Sequence, residues 1–522
     1  MRKLRLVLVQ CLLAVTSQTV VVPCESQVYC HGELLDTVQK LDMFEESKYF
    51  VDMGLRVPES DVIESFNQLT VEQKTNSSFM FDWVNVNFAE PGFEFDDVEF
   101  TIENDPQFLS RINDSTYRNW AHQLYKIWPQ LGRGVKPIVA QQPDRTSFLP
   151  LKHQTVVPTG HDGRFRESYY WDTFWTLRGM LQCGLVNDVY EILLNFRDLI
   201  RQYGFVPNGT RKYYTKRSQP PFYIMMVSDL INHQPDETKR LDMTREFIDS
   251  MMDEFDWWEK NRAVQVRQHT LHRYASDVDT NRPEAYLPDE HVLSQLDHDP
   301  AARAQLAAHI TSAAESGWDF SYRWTGERDI DNDDVLVGLR TRDIIPVDLN
   351  FILAHNAKAL ADFTSLLSTG ADDDVYSDKS EIYKATFKRQ MSAIEAVLYN
   401  DTDKSYFDYD LRRERQNTQF FASNYVPLFT HVWPKDINAN QRQLDLLASL
   451  QRHDVASYQA GIPNSLKNTG QQWDYPNAWP PSTHMIVMGL FESGLAEAQK
   501  YAQTIASKWL SANYALFEGT VA

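Results

Sequence analysis

The sequence predicts an all-helical chain, with its helices ringed around a central pocket and its loops gathered at one rim. Three observations lead there. Long segments repeat apolar residues at every third or fourth position, the period of one helix face. Convincing apolar/polar alternation, the mark of a half-buried strand, is scarce. The segments between the helices are rich in Pro, Gly, Asn, Trp and Arg, which suits loops that carry chemistry. A helical solenoid would need a fixed repeat period, and none is present.

The chain opens M-R-K-L-R-L-V-L-V-Q-C-L-L-A-V. Arg2, Lys3 and Arg5 precede an apolar run from Leu6 to about Val15, a secretory-signal pattern too short to span as an ordinary membrane helix. Residues 1–26 are expected to be the signal and 27–522 one catalytic domain, in a secreted or extracellular protein. Cleavage after Ser17 is the alternative boundary, and an uncleaved N-terminal membrane anchor the alternative fate. There are four cysteines, Cys11, Cys24, Cys30 and Cys183. Their spacing holds no metal-ligand pattern, and a Cys24–Cys30 bridge is open to the chain if cleavage falls before Cys24. Acceptor triplets for N-glycosylation stand at Asn76, Asn113, Asn208 and Asn400.

Residues 27–130 are mixed, with acidic and Pro-containing turns. Helical periodicity begins near residue 110, in R-I-N-D-S-T-Y-R-N-W-A-H-Q-L-Y-K-I-W-P-Q-L. It returns in Y-E-I-L-L-N-F-R-D-L-I-R-Q-Y, closed by Gly204, and in M-T-R-E-F-I-D-S-M-M-D-E-F-D-W-W. V-D-L-N-F-I-L-A-H-N-A-K-A-L-A-D-F and S-E-I-Y-K-A-T-F-K-R-Q-M-S-A-I-E-A-V-L-Y follow, then R-Q-L-D-L-L-A-S-L and A-E-A-Q-K-Y-A-Q-T-I-A-S-K-W-L. The formal charge of −21 argues against nucleic acid and against an anionic membrane surface as partners. Aromatic residues make up 12% of the chain, including 13 Trp and 24 Tyr, and rings with polar tips suit both faces of a sugar as well as they suit a large core.

Five loops place Arg, Asn, Gln or carboxylates among rings: residues 163–175, 207–221, 281–286, 314–324 and 471–481. In the fourth, Asp319 stands between Trp318 and Phe320. Burying a carboxylate beside rings raises its pKa, which suits a general acid for glycoside hydrolysis. A helix cap or a salt bridge to Arg323 explains the same residue equally well at this level. Arg164, Arg217 and Arg282 could bind an anionic substrate, or could donate to sugar hydroxyls and hold carboxylates in place.

These loops together resemble trehalases of glycoside hydrolase family 37. The first family signature is matched by G-R-F-R-E-S-Y-Y-W-D-T-F and the second by Gln472 to Pro481. P-N-G-x-R…R-S-Q-P-P, R-P-E, E-S-G-W-D-F-S and I-P-V-D-L-N match as well, so the resemblance runs from about residue 30 to 520. It implies an (α/α)6 barrel that hydrolyses α,α-trehalose to two glucoses with inversion. Asp319 would be the general acid. Arg164, Trp171, Asp172, Asn208, Arg217, Ser218, Gln219, Arg282, Pro283, Glu284, Gly317 and Gln472 would line the sugar sites. Phe165, Tyr169, Trp473 and Trp479 would supply apolar walls. The substrate is a neutral disaccharide, so no metal or organic cofactor is expected and the Arg residues act as donors.

Two departures from the family pattern set further expectations. V-V-P-T-G-H-D-G inserts about three residues before Gly163, including His161 and Asp162, and Phe174 replaces the last Tyr of the signature. After K-W-L-S-A-N-Y the chain reads A-L-F-E-G-T-V-A, without the family's Glu-Lys-Tyr-Asp, Gly-Gly-Glu-Tyr and Gly-Phe-Gly-Trp-Thr-Asn motifs. Glu518 aligns before the expected general base and is not given that role. The expectation is a barrel that can lack its last helix. An active trehalase is then set against two rivals: a truncated chain that binds trehalose without efficient turnover, and a helical-barrel glycosidase for another α-glucoside. A glycan on Asn208 would obstruct the pocket, so that site is expected to be unmodified.

Overall fold

The computed structural model describes residues 20–98, 100–104, 106–160, 163–326, 335–368 and 373–521. Most of the expected signal stretch, and the inserted His161 and Asp162, lie outside these residues.

The helices alternate between an inner and an outer ring. A first helix, α1 (Ser115–Tyr125), lies on the outside. Inner–outer hairpins follow: α2 (Tyr170–Gln182) with α3 (Val186–Tyr203), then α4 (Tyr223–His233) with α5 (Glu237–Asn261). Next comes α6 (Pro300–Glu315), packed at the rim. The hairpins resume with α7 (Val347–Leu367) and α8 (Asp373–Val397), α9 (Val426–Thr430) and α10 (Ala439–Arg452), and α11 (Pro480–Glu492) and α12 (Ala496–Val521). Inner helices pack on one another in chain order, α2 on α4, α4 on α7, α7 on α9 and α9 on α11. The ring returns to α2 where Trp175 Nε1 donates to His484 Nδ1 of α11 at 3.2 Å. At the periphery, Tyr117 and Trp120 of α1 meet Tyr514 and Phe517 of α12 edge-on. This is the expected all-α barrel architecture.

The two rings differ in how they bury side chains. On α3 a single stripe faces inward, with Val189, Ile192, Leu193, Phe196, Leu199 and Ile200 buried. Gly204 then ends the helix at φ 84°, a left-handed cap that costs glycine no Cβ clash. On α4 seven of the eleven residues are buried, because neighbours surround it. Strands among the described residues are two to four residues long and form two- and three-stranded pieces that pin loops.

The loops that precede the inner helices all meet at one rim. Tyr169 bridges Gly209, and Phe421 bridges Ser465. Tyr170 N–H donates to the Asn208 carbonyl at 3.0 Å, and Trp473 N–H to the Phe320 carbonyl at 3.0 Å. The first turns of the inner helices therefore point toward the same pocket, where their free N–H groups favour negative charge.

An N-terminal segment wraps the rim with its own apolar cluster, including Tyr29, Phe50, Trp83 and Phe88, joined by Tyr213 and Tyr214 of the barrel loop. A fully buried ionic network ties the two together. Lys48 pairs with Asp52 and, at 2.8 Å, with Glu167. Arg211 reaches Glu167 at 3.0 Å and Glu94 at 2.8 Å. Cys24 and Cys30 form a disulfide, and Ser26 Oγ donates to Glu59 at 3.0 Å. A cut after Ser26 would fall inside this folded segment, whereas a cut after Ser17 leaves it whole. Among the described residues no helix is long and apolar enough to cross a membrane.

Beneath the rim, Arg323 is fully buried. It grips Asp408 through Nε at 2.7 Å and Asp348, at the start of α7, through Nη2 at 2.9 Å. Its guanidinium lies over Trp318 and Trp324. Replacing Arg323 with Leu would strand two buried carboxylates, so a loss of about 3–5 kcal/mol is expected, read as a lower urea midpoint.

Candidate active site

Helix α6 delivers Asp319. Its last ten residues, Leu306 to Glu315, are all buried, and Glu315 is clamped by Arg262 at 2.6 Å. The chain then turns sharply at Gly317, whose φ of 74° is left-handed and favours glycine. A Cβ there would lie 2.5 Å from the Trp171 ring, so glycine also lets α2 and the Asp319 loop touch. Trp318 and Asp319 follow immediately.

The loop is held from its far side by Asp474. This carboxylate accepts from Ser321 Oγ at 2.7 Å, Tyr322 N–H at 2.9 Å, Ser465 Oγ at 2.9 Å and the Thr469 hydroxyl. Gln472 donates to the Asp319 carbonyl, and Trp479 Nε1 to the Gln472 carbonyl at 2.7 Å. The second signature thus braces the Asp319 loop by hydrogen bonds rather than by adjacency in sequence.

Arg323 does not pair with Asp319, being spent on Asp348 and Asp408. The cations facing Asp319 are Arg282 and Arg217, and each is held by another group. Arg282 is gripped by Asp289, through Nε at 2.9 Å and Nη2 at 2.6 Å. Arg217 donates from Nε to Asn208 at 2.7 Å and from Nη2 to Glu284 at 2.6 Å. Nη1 of each has no protein partner among the described residues and is free to meet a sugar hydroxyl. Oε2 of Glu284, buried and without a partner, is a matching acceptor.

Electrostatics separates the carboxylates. Burial raises Asp319 to about 6, with Arg282 and then Arg217 pulling the other way. Crowding by the surrounding protein atoms also raises Asp172 to about 6, and the nearby Asp319 adds to the push. Asp172 is open to pocket water, so a sugar that expelled that water would disfavour its charge further. Burial acts on Glu284 too, but Arg217 and Arg282 outweigh it and hold Glu284 below its ordinary value. The pocket therefore carries one firmly ionised carboxylate and two poised near protonation.

Most of the sequence-predicted residues converge here, with four qualifications. Arg164 lies at the outer edge, 46% exposed and paired with Glu46 at 2.5 Å, beside the exposed Phe165. The Tyr169 hydroxyl turns away into the buried network, to Glu167 and, at 3.0 Å, to Tyr214. Ser218 is fully buried, giving its hydroxyl to the Val206 carbonyl at 2.7 Å and its N–H to Glu315 at 3.0 Å. Trp473 is stacked between Trp318 and Trp479, so it supports the wall more than it faces the pocket. Gln219 accepts from Trp171 N–H at 3.0 Å, and the Pro283 carbonyl accepts from Gln39 at 3.5 Å. Asn208 is 4% exposed and bonded to Arg217, leaving no room for a glycan.

Sequence reasoning missed the residues that hold the site: Glu46, Asp289, Glu315 and Asp474. Asp474 stands within the second signature, Gln472 to Pro481, and Asp289 seven residues after Arg282, but only the fold shows what each carboxylate grips. Among the described residues, no group of three or more His, Cys, Asp or Glu could hold a metal ion.

The trehalase family model matches residues 42–521. The chain belongs to the trehalase family. It is 35% identical over 502 residues to trehalase from Homo sapiens, covering 95% of this chain and 82% of that one. It is 36% identical over 512 residues to trehalase from Apis mellifera, covering 95% and 78%. Neutral trehalase from Saccharomyces cerevisiae shares the fold, with a TM-score of 0.57 at 20% identity, over 69% of this chain and 66% of that one. Membership of the trehalase family makes the protein a glycoside hydrolase.

Gly317→Ala should strain a left-handed backbone and push Trp171, costing about 1–3 kcal/mol. The checks are a lower urea midpoint and an altered near-ultraviolet circular dichroism signal from the tryptophan cluster.

Proposed function

We propose that this protein hydrolyses α,α-trehalose to two glucose molecules with inversion, with Asp319 as the general acid. The observation that carries the reading is a half-buried Asp319 without an ion-pair partner of its own, in a pocket whose two arginines are already held by Glu284 and Asp289. Protonated Asp319 gives its proton to the glycosidic oxygen as the C1–O bond breaks. Water adds to C1 from the opposite face and yields its own proton to a base. Glu518 is not assigned as that base; it is exposed on α12 and bonded by the Tyr514 hydroxyl. Nη1 of Arg217 and of Arg282 would donate to sugar hydroxyls, and Asp172 and Glu284 would accept from them. A neutral sugar suits this set, because both cations are already balanced by carboxylates.

The test is glucose release from trehalose by the purified chain. Asp319→Asn should lower the rate by about 10²–10⁴, the usual worth of a proton-transfer group. Turnover that survives this change would remove Asp319 from the acid role. Trehalose binding without glucose release would favour the binding-only reading, and cleavage of other α-glucosides alone would favour a different substrate. Inversion predicts that nuclear magnetic resonance sees one α- and one β-glucose form first from each trehalose.

The acid must be protonated to act. Its pKa near 6 means activity is sustained below that value and falls as pH rises through it, nearly tenfold per unit beyond. Arg282→Gln removes a charge that lowers Asp319, so it should move the alkaline limb of the kcat/KM profile to higher pH, and an unmoved limb would contradict the link between that limb and Asp319.

We also infer that the protein is secreted after cleavage of its N-terminal segment. The Cys24–Cys30 disulfide supports passage through an oxidising compartment. The exposed Asn76 and Asn113 are the acceptor sites best placed for glycans. N-terminal sequencing of the secreted protein should find a start that precedes Cys24, and a start at Gln27 would rule this boundary out.

A further inference from the structure

A second unusual carboxyl lies outside the pocket. Glu254, on α5, is 1% exposed. The Tyr170 hydroxyl donates to its Oε1 at 2.6 Å, and Oε2 has no hydrogen-bond partner among the described residues. Among the described residues no arginine or lysine meets it, unlike the other buried glutamates Glu94, Glu167, Glu284 and Glu315, each of which holds a cation. A buried carboxyl with no cation is costly to ionise.

Its one side-chain partner is well connected. Tyr170 opens α2, immediately before Trp171 and Asp172. Its N–H donates to the Asn208 carbonyl at 3.0 Å. Its hydroxyl also accepts from Tyr223 N–H, at the start of α4, at 2.9 Å. The Val206 N–H, two residues before Asn208, faces the same carboxyl. One buried group thus sits at the joint of α2, α4, α5 and the Asn208 loop.

We propose that Glu254 is a positioning residue for the sugar site: through the Tyr170 hydroxyl it sets the start of α2, and with it the places of Trp171, Asp172 and Asn208. This rests on the trehalose reading for its consequence but not for its geometry. The groups around the carboxyl define when the joint loosens. From α2 it meets only Tyr170, and from α4 Tyr223, both phenols pushed far above their ordinary value by burial. On α3, Arg197 and Arg201 act on Tyr223 and are bound to Asp198 and, for Arg197, Glu246. The Val206 segment offers backbone alone. Burial, opposed only by Tyr170 and Val206, pushes Glu254 up to about 8. The raised value means the joint is sound while the carboxyl is neutral and is lost as pH climbs through 8, when water must enter to solvate the charge.

The test separates this from the acid's own titration by using Asp319→Asn, which removes turnover and that titration together. Trehalose affinity of this variant, followed by tryptophan fluorescence, should weaken about fivefold between pH 7 and pH 9.5. Adding Glu254→Gln, which keeps the shape without the charge, should hold the change below twofold. Glu254→Ala should weaken binding about tenfold even at pH 7, with Gln closer to the parent. Equal pH dependence with Glu or Gln at 254, or none in either, would overturn the proposal. If no variant binds trehalose, the functional reading fails, and the free protein still decides the positioning role. The near-ultraviolet tryptophan signal should then change between pH 7 and 9.5 with Glu254 and stay constant with Gln, and identical behaviour would overturn it.

Discussion

The structure depends on where one buried guanidinium is spent. Arg323 lies four residues beyond Asp319, close enough to neutralise it. Instead it bridges Asp408 and Asp348, one from a loop and one from the first turn of α7, under the faces of Trp318 and Trp324. That choice anchors the aromatic loop to the inner ring and leaves Asp319 without an ion-pair partner of its own. A buried charge pair contributes little net stability, but it penalises any arrangement that breaks it. Here the penalty falls on arrangements in which the aromatic loop swings away or Asp319 takes the cation for itself.

The same logic extends across the rim. Arg282 is held by Asp289, Arg217 by Glu284 and Asn208, and Arg262 by Glu315. Each cation is fixed by a group other than Asp319, so its remaining N–H points are set before any ligand arrives. Such preorganisation avoids ordering costs at binding. It also explains how a chain of formal charge −21 keeps arginines in its pocket without becoming a site for anions.

The outer helices were legible because only one face is buried. The stripes in residues 186–203 and 237–261 have the 3.6-residue period. Helices α2, α4 and α11 gave no clear period, since most of their residues are buried or half-buried and the polar side shrinks to a few positions, on α4 Ser228, Asp229, Asn232 and His233. Helix α6 was missed for the same reason, being buried through its whole second half. Among site residues, Asp319, Arg217, Arg282 and Glu284 were recognised from their loops and do converge. Tyr169, Ser218 and Trp473 were recognised too, yet face the supporting layer, because a motif marks which residues matter without stating their direction.

By itself the sequence determined the helical class, the loops that carry the chemistry and the family to which they belong, since these rest on local periodicity and on residue order. Tertiary structure alone decided which carboxylate each arginine holds. It decided that Asp474 braces the Asp319 loop across 153 positions. It also set Glu254 beneath the start of α2 with no cation. The reason is electrostatic. Charge pairing and desolvation depend on distance and burial, and neither can be read from chain position.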